Sequence, residues 1–243
     1  TITLERDLPP VTLTSSVTIT GNGAASTIID GAESHAALTF TTFNSSTVSV
    51  SSLTIRNAYT SGEGSAIRSV GADVAIAGCR FSGNVADDDG GAVYVTSDVT
   101  VTGSTFSENY TEGDGGAIYG ADAVTISAST FSNNSADADA GGAVYGGGVV
   151  AISGSTFTGN STSDDAGGAV YAGDDLSVDS STFSGNSSGN GGAIRVAGSA
   201  TITGSTFSSN SATVGDGGAI RTFSGTVSLT NSTLSGNSAD EGG

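Results

Sequence analysis

The sequence predicts an all-β fold: a right-handed, single-stranded parallel β-helix of about nine to ten coils, each of 24–27 residues with three short strands. Two observations carry this. The motif F-x-x-N recurs as Phe81/Asn84, Phe106/Asn109, Phe131/Asn134, Phe157/Asn160, Phe183/Asn186 and Phe207/Asn210, then as Leu234/Asn237, with asparagine intervals of 25, 25, 26, 26, 24 and 27. Between these motifs the chain alternates apolar with small polar residues, and no apolar pattern of helical period appears. A fixed period near 25 with strand alternation and no helix describes stacked coils.

The coil can be read element by element. GGAIYG, AVTIS and STFS are runs rich in Val, Ile and Thr, separated by Gly, Asn and Ser, and so read as strands and turns. From the second Gly of each pair to the next Phe there are 15 residues five times, then 16, whereas Asn to the first Gly varies from 5 to 7. One part of each coil is held in register, and one loop absorbs length changes. Strands on neighbouring coils pair about 4.8 Å apart, with right-handed crossovers, giving a rod on the order of 45 Å long. With Phe131 inside, Ile118, Val124 and Ile126 also point inward. Asn84, Asn109, Asn134, Asn160, Asn186, Asn210 and Asn237 are expected to turn inward as a structural amide ladder. The chain reads as one β-helix domain over 1–243, with irregular opening coils over 1–78 and regular ones over 79–243.

Composition narrows the function classes. Six arginines (Arg6, Arg56, Arg68, Arg80, Arg195, Arg221) face 24 acidic residues with no lysine, a net charge of −18. Such a surface repels nucleic acid and anionic lipid. No apolar run is long enough for a transmembrane helix, so direct membrane insertion is not expected. Cys79 is alone, which removes intrachain disulfides and cysteine metal sites and leaves a small buried thiol as the simple reading. With His35 the sole histidine, multi-histidine metal sites and histidine acid-base pairs are excluded as well.

The pairing of GGAVY, GGAIY and GGAIR with FSGN, FSEN and FTGN resembles the tandem repeats of the chlamydial polymorphic outer-membrane proteins. The resemblance covers residues 79 to 243, and VTITGNGAASTIIDG and SSLTIRN within 11–57 resemble opening coils of secreted β-helix proteins. It implies a passenger-type β-helix, extracellular or at a cell surface, often adhesive, whose partners are other surface proteins, glycans or itself. An export signal or anchor is then expected outside this chain. The single cysteine departs from the family pattern.

Three outward columns could carry such a function. The first, after GGA[IV], reads Arg68, Tyr94, Tyr119, Tyr145, Tyr171, Arg195 and Arg221. Aromatic rings can bind sugars or protein and arginine can hold carboxylates, but like residues also stack well in parallel ladders. The second is acidic: Asp87, Asp88, Asp89, Glu112, Asp114, Asp137 and Asp139, continued by Asp164, Asp165, Asp216, Asp240 and Glu241. It is either a solvated ridge or a set of Ca2+ ligands bridging coils, with no other cofactor expected. The third pairs Thr18/Thr20, Thr100/Thr102, Thr125/Ser127, Thr201/Thr203 and Ser228/Thr230 around an inward residue. A flat array of this kind can bind ice, but Ala151/Ser153 and Ser177/Asp179 interrupt it, and it reads as good strand formers on a wet face.

The leading functional reading is a non-catalytic rod, filament subunit or adhesin stalk. The alternative is a polysaccharide-binding or lyase-type enzyme, for which Arg195 with Asp174 and Asp175 is the nearest catalytic set. Among N-x-S/T sequons, those at Asn109, Asn160 and Asn186 fall on ladder asparagines, leaving Asn44, Asn133 and Asn231 as glycosylation candidates. The first strand begins at once and the last repeat stops at SADEGG. Both ends therefore read as uncapped, with end-to-end stacking or a longer β-helix as the two explanations.

Overall fold

The computed structural model describes residues 1–42, 46–137, 140–163 and 166–240. The chain winds into a right-handed parallel solenoid of about nine turns, and no described residue is helical. One coil shows the plan. Ile118–Gly120 lies in a tyrosine sheet, Val124–Ser127 in a threonine sheet, Thr130–Ser132 in a phenylalanine sheet, and Ser135–Ala136 in a short corner sheet. These sheets have nine, nine, ten and seven strands, and every pairing is parallel.

The corner sheet is the fourth strand of a coil for which three were expected. Tyr110–Thr111, which reads as loop in the sequence, pairs with Val85–Ala86 on one side and Ser135–Ala136 on the other. Its cause is backbone accounting: after the ladder asparagine the chain is still buried against its neighbours, and its N–H and C=O groups need partners. Two residues suffice before the acidic loop bends away. No alternation is visible in so short a strand.

The core is a set of columns. Phe81, Phe106, Phe131, Phe157, Phe183 and Phe207 stack with centroids 4.7 or 4.8 Å apart and planes within 9°. The same column opens with Ile2, Ile29 and Ile55, paired in register with Phe81. Beside it run Val93/Ile118/Val144/Val170/Ile194 and Val101/Ile126/Ile152/Val178/Ile202, all buried. Burying each such side chain contributes about 1.5–3 kcal/mol. A continuous apolar cluster therefore runs from Leu4 to Ala219, through both the irregular and the regular coils.

Two polar ladders close the corners. Each asparagine from Asn84 to Asn210 uses its whole amide. Asn134 Nδ2 donates to Asn160 Oδ1 at 2.9 Å and to the Phe106 carbonyl at 3.2 Å, while its Oδ1 accepts the backbone N–H and the Nδ2 of Asn109 at 3.1 and 2.8 Å. The ladder ends at Ala58, whose N–H donates to Asn84 Oδ1. Asn57, the final residue of SSLTIRN, is not a rung: it turns the corner at φ 49° and donates to Asp30. The second ladder is made of Ser104, Ser129, Ser155, Ser181 and Ser205, each Oγ accepting the N–H of the equivalent residue one coil earlier. Cys79 occupies the next serine position, buried, with its thiol beside the Val50 and Ala77 carbonyls. Burial pushes that thiol's pKa up, so it stays protonated.

The Gly-Gly pairs divide two tasks. The first glycine turns the corner at positive φ, 69° at Gly115 and 70° at Gly141. The second allows contact between coils: a Cβ on Gly142 would sit 2.2 Å from the Gly168 carbonyl oxygen.

Candidate functional site

Arg68, Tyr94, Tyr119, Tyr145, Tyr171, Arg195 and Arg221 stand opposite one another in strict register on the outside of the tyrosine sheet. Strand alternation places them outward between buried neighbours such as Ile118 and Gly120. All seven are half-buried. The four rings stack at 5.0, 4.7 and 5.0 Å, with planes within 16°, and the Arg68 guanidinium carbon lies 5.9 Å from the Tyr94 centroid. The column is a rib whose ring faces are spent on one another. Sugar stacking needs an open ring face, and this arrangement leaves edges and hydroxyls instead.

The arginines are engaged too. Arg68 Nε donates to Glu63 at 2.9 Å, and Arg221 lies 3.5 Å from Asp216. Burial raises the Glu63 pKa, but the Arg68 hydrogen bond, a backbone hydrogen bond and the Arg68 charge together outweigh it and leave the carboxyl below the usual range. Partial burial, then the neighbouring Tyr145, Asp89, Tyr94 and Asp114, push Tyr119 up to about 12. Tyr94 is raised in the same direction, so both are neutral hydrogen-bonding groups at physiological pH.

The acidic column proves to be partly structural. Asp89 Oδ1 accepts the Asp114 N–H at 2.9 Å, and Asp114 Oδ1 accepts the Ala140 N–H at 2.6 Å. Asn190 does the same for Asp216 at 3.0 Å. Asp87 and Asp137 accept hydrogen bonds from the Tyr59 and Tyr110 hydroxyls, each from the coil before. Asp88 and Glu112 are exposed, while Asp139, Asp164, Asp165 and Glu241 lie outside the described residues. Among the described residues no three carboxylate, imidazole or thiol groups converge as an ion's ligands would. Asp98 and Asp175 act similarly at another turn, accepting the Ala123 and Ser199 amides at 3.0 and 2.8 Å. A side chain that replaces a backbone acceptor is invisible in composition. The signal that could have revealed it is position, since Asp89, Asp114, Asn190 and Asp216 all directly precede Gly-Gly.

Elsewhere, Asn109, Asn160 and Asn186 are buried rungs, whereas Asn133 and Asn231 are exposed at φ 54° and 51°; Asn44 is outside the described residues. The threonine sheet carries a shallow groove over Thr125, Ala151, Ser153, Ser177, Asp179, Thr201 and Thr203. The unbroken hydroxyl array lies instead on the phenylalanine sheet, from Thr105/Ser107 through Thr130/Ser132, Thr156/Thr158, Thr182/Ser184 and Thr206/Ser208 to Thr233/Ser235. It was hidden because STFS reads first as a core motif. His35 is set apart near the first coils, 3.5 Å from Asp7.

Residues 11–183, well over half the chain, match the family profile of the right handed beta helix region. The chain belongs to the right-handed β-helix family. Residues 180–197, which contain Phe183, Asn186, Gly191-Gly192 and the rib's Arg195, match the repeat of the Chlamydia polymorphic membrane protein. No curated protein and no solved structure matches this β-helix. No described helix is long and apolar enough to cross a membrane.

Proposed function

We propose that this β-helix is a non-catalytic rod displayed outside the cell, on a surface or secreted, and that its tyrosine and arginine rib is the surface that meets a partner. The observation that carries this is the four-ring stack bracketed by arginines, a rigid, half-exposed aromatic line on one side of a continuous core. Tyrosine and arginine are enriched in binding hot spots, and tyrosine offers large contact area at low conformational cost. The match to the polymorphic membrane protein repeat supports surface display.

The last described coil presents Ile220, Val227, Leu229 and Leu234 around an open cavity of about 420 Å³. One further parallel coil, from whichever chain supplies it, would cover this cross-section.

The rib is tested by adhesion of protein-coated beads to host or matrix surfaces. Tyr119→Phe with Tyr145→Phe keeps the stack and removes two hydroxyls, and a large loss of adhesion is expected. Undiminished adhesion would remove the rib from the reading. Turnover of a uronic-acid polymer by the wild type would replace the rod by an enzyme.

A further inference from the structure

We infer that the tyrosine stack is an oxidative cross-linking site, where a one-electron oxidant of the haem peroxidase and hydrogen peroxide class joins rings of neighbouring coils as dityrosine. This goes beyond the rib's role as a contact surface and needs no partner protein. Four of the six tyrosines, Tyr94, Tyr119, Tyr145 and Tyr171, stand in register on consecutive coils with centroids 5.0, 4.7 and 5.0 Å apart. The central pair, Tyr119 and Tyr145, has planes only 1° apart. The other two tyrosines do not meet: Tyr59 and Tyr110 both pair with Val85, which lies between them. The rest of the chain directs an oxidant to the stack. There is no Met and no Trp, and the one thiol, at Cys79, is 3% exposed and held protonated by burial. The rib rings are half-buried, which leaves part of each in solvent.

Each of two rings loses one electron to the oxidant and its hydroxyl proton to water. The resulting phenoxyl radicals carry spin on the carbons ortho to oxygen, and a Cε–Cε bond forms between the two rings. The hydrogens on those carbons then pass to the oxygens, so both phenols are restored. Two electrons and two protons have left, enough to reduce one hydrogen peroxide to two waters. The difficult step is the meeting of two radicals before either is quenched, and fixed neighbours replace that diffusional encounter. The ladder holds the ring roots about 4.8 Å apart, and rotation about each Cβ–Cγ bond, a torsion with broad wells, brings ortho carbons together. The bond would tie coils that otherwise contact only their neighbours. Like a disulfide it would restrict the unfolded chain, a role that a single cysteine cannot fill within this chain.

The test treats dilute protein with a haem peroxidase and hydrogen peroxide and reads dityrosine fluorescence. Two variants lose the same number of tyrosines and keep every ring, so both should melt with the wild type. Tyr94→Phe with Tyr171→Phe leaves Tyr119 beside Tyr145 and should keep about a third of the wild-type yield, one adjacent pair out of three. Tyr119→Phe with Tyr145→Phe leaves no adjacent pair, and its yield should fall more than about tenfold. Peptide mapping of the wild type should find pairs of rib peptides joined with loss of two hydrogens, and none joined through Tyr59 or Tyr110. Equal yields in the two variants would mean that tyrosine number alone matters and would overturn the proposal. So would the absence of dityrosine in the wild type, or links found mainly in dimers whose share grows with protein concentration. None of these readouts involves adhesion, so this inference and the contact-surface reading fail separately.

Discussion

Gly116 and Gly142 approach so closely that a Cβ on Gly116 would lie 2.2 Å from the Gly142 carbonyl oxygen. Nothing flexible is available to yield, because that oxygen belongs to the neighbouring backbone. Gly116→Ala should therefore push two coils apart and destabilise by about 3 kcal/mol or more, comparable to severe core overpacking. Gly103→Ala, where an added Cβ meets nothing within 4 Å, strains only its own φ of 56° and should cost about 1–2 kcal/mol. Urea unfolding of the two variants checks the ranking, and a milder effect at Gly116 would contradict the contact.

The opposite exchange should help. Ala128 is an exposed alanine held at φ 48°, in the corner position where Gly103 and Gly154 stand in the coils on either side. Ala128→Gly relieves the left-handed strain, partly offset by the greater freedom of glycine in the unfolded chain, for a net gain of up to about 1 kcal/mol. A raised melting temperature is expected; a lowered one would show that the corner tolerates a Cβ without strain.

The fold was legible because every core residue is reinforced by its copies: Phe131, Ile118, Val124 and Ile126 each repeat at one interval and share one facing. The corner strand Tyr110–Thr111 was not, since two residues show no alternation. Ile29 and Ile55 were obscured as members of the phenylalanine column because their coils lack the F-x-x-N motif. At the site, the rib's membership and outward facing followed from alternation alone. Its closed ring faces did not, because whether neighbouring rings stack or splay depends on rotamers, which spacing does not determine. Asp114 looked like a solvated charge, and only its height relative to Ala140 shows that it holds two coils together.

The two polar ladders predict unequal tolerance. Asn134→Ala strips the acceptor from the buried backbone N–H and side-chain amide of Asn109 and should cost about 3–5 kcal/mol. Cys79→Ser instead restores the residue type found at Ser104, Ser129 and Ser155, so stability should be unchanged or slightly increased. Thermal melts of both variants check this, and a strongly destabilised Cys79→Ser would mean that the thiol's packing outweighs the ladder's hydrogen bond.

Alkaline pH should destabilise the rib. In the unfolded chain a tyrosine releases its proton near pH 10. In the rib, partial burial and the nearby Tyr145, Asp89, Tyr94 and Asp114 hold Tyr119 protonated up to about 12. Tyr94 is raised in the same direction, by burial and then by Glu63 and Asp89. A raised folded pKa means that the folded chain binds more protons than the unfolded one between those values. The stabilisation is complete below pH 10 and is lost as pH climbs towards 12. Tyrosinate absorbance should therefore rise late and together with loss of the β-sheet circular dichroism. Asp89→Asn with Asp114→Asn removes two of the charges that oppose ionisation and should move that rise to lower pH. An unmoved titration would show that burial alone sets it.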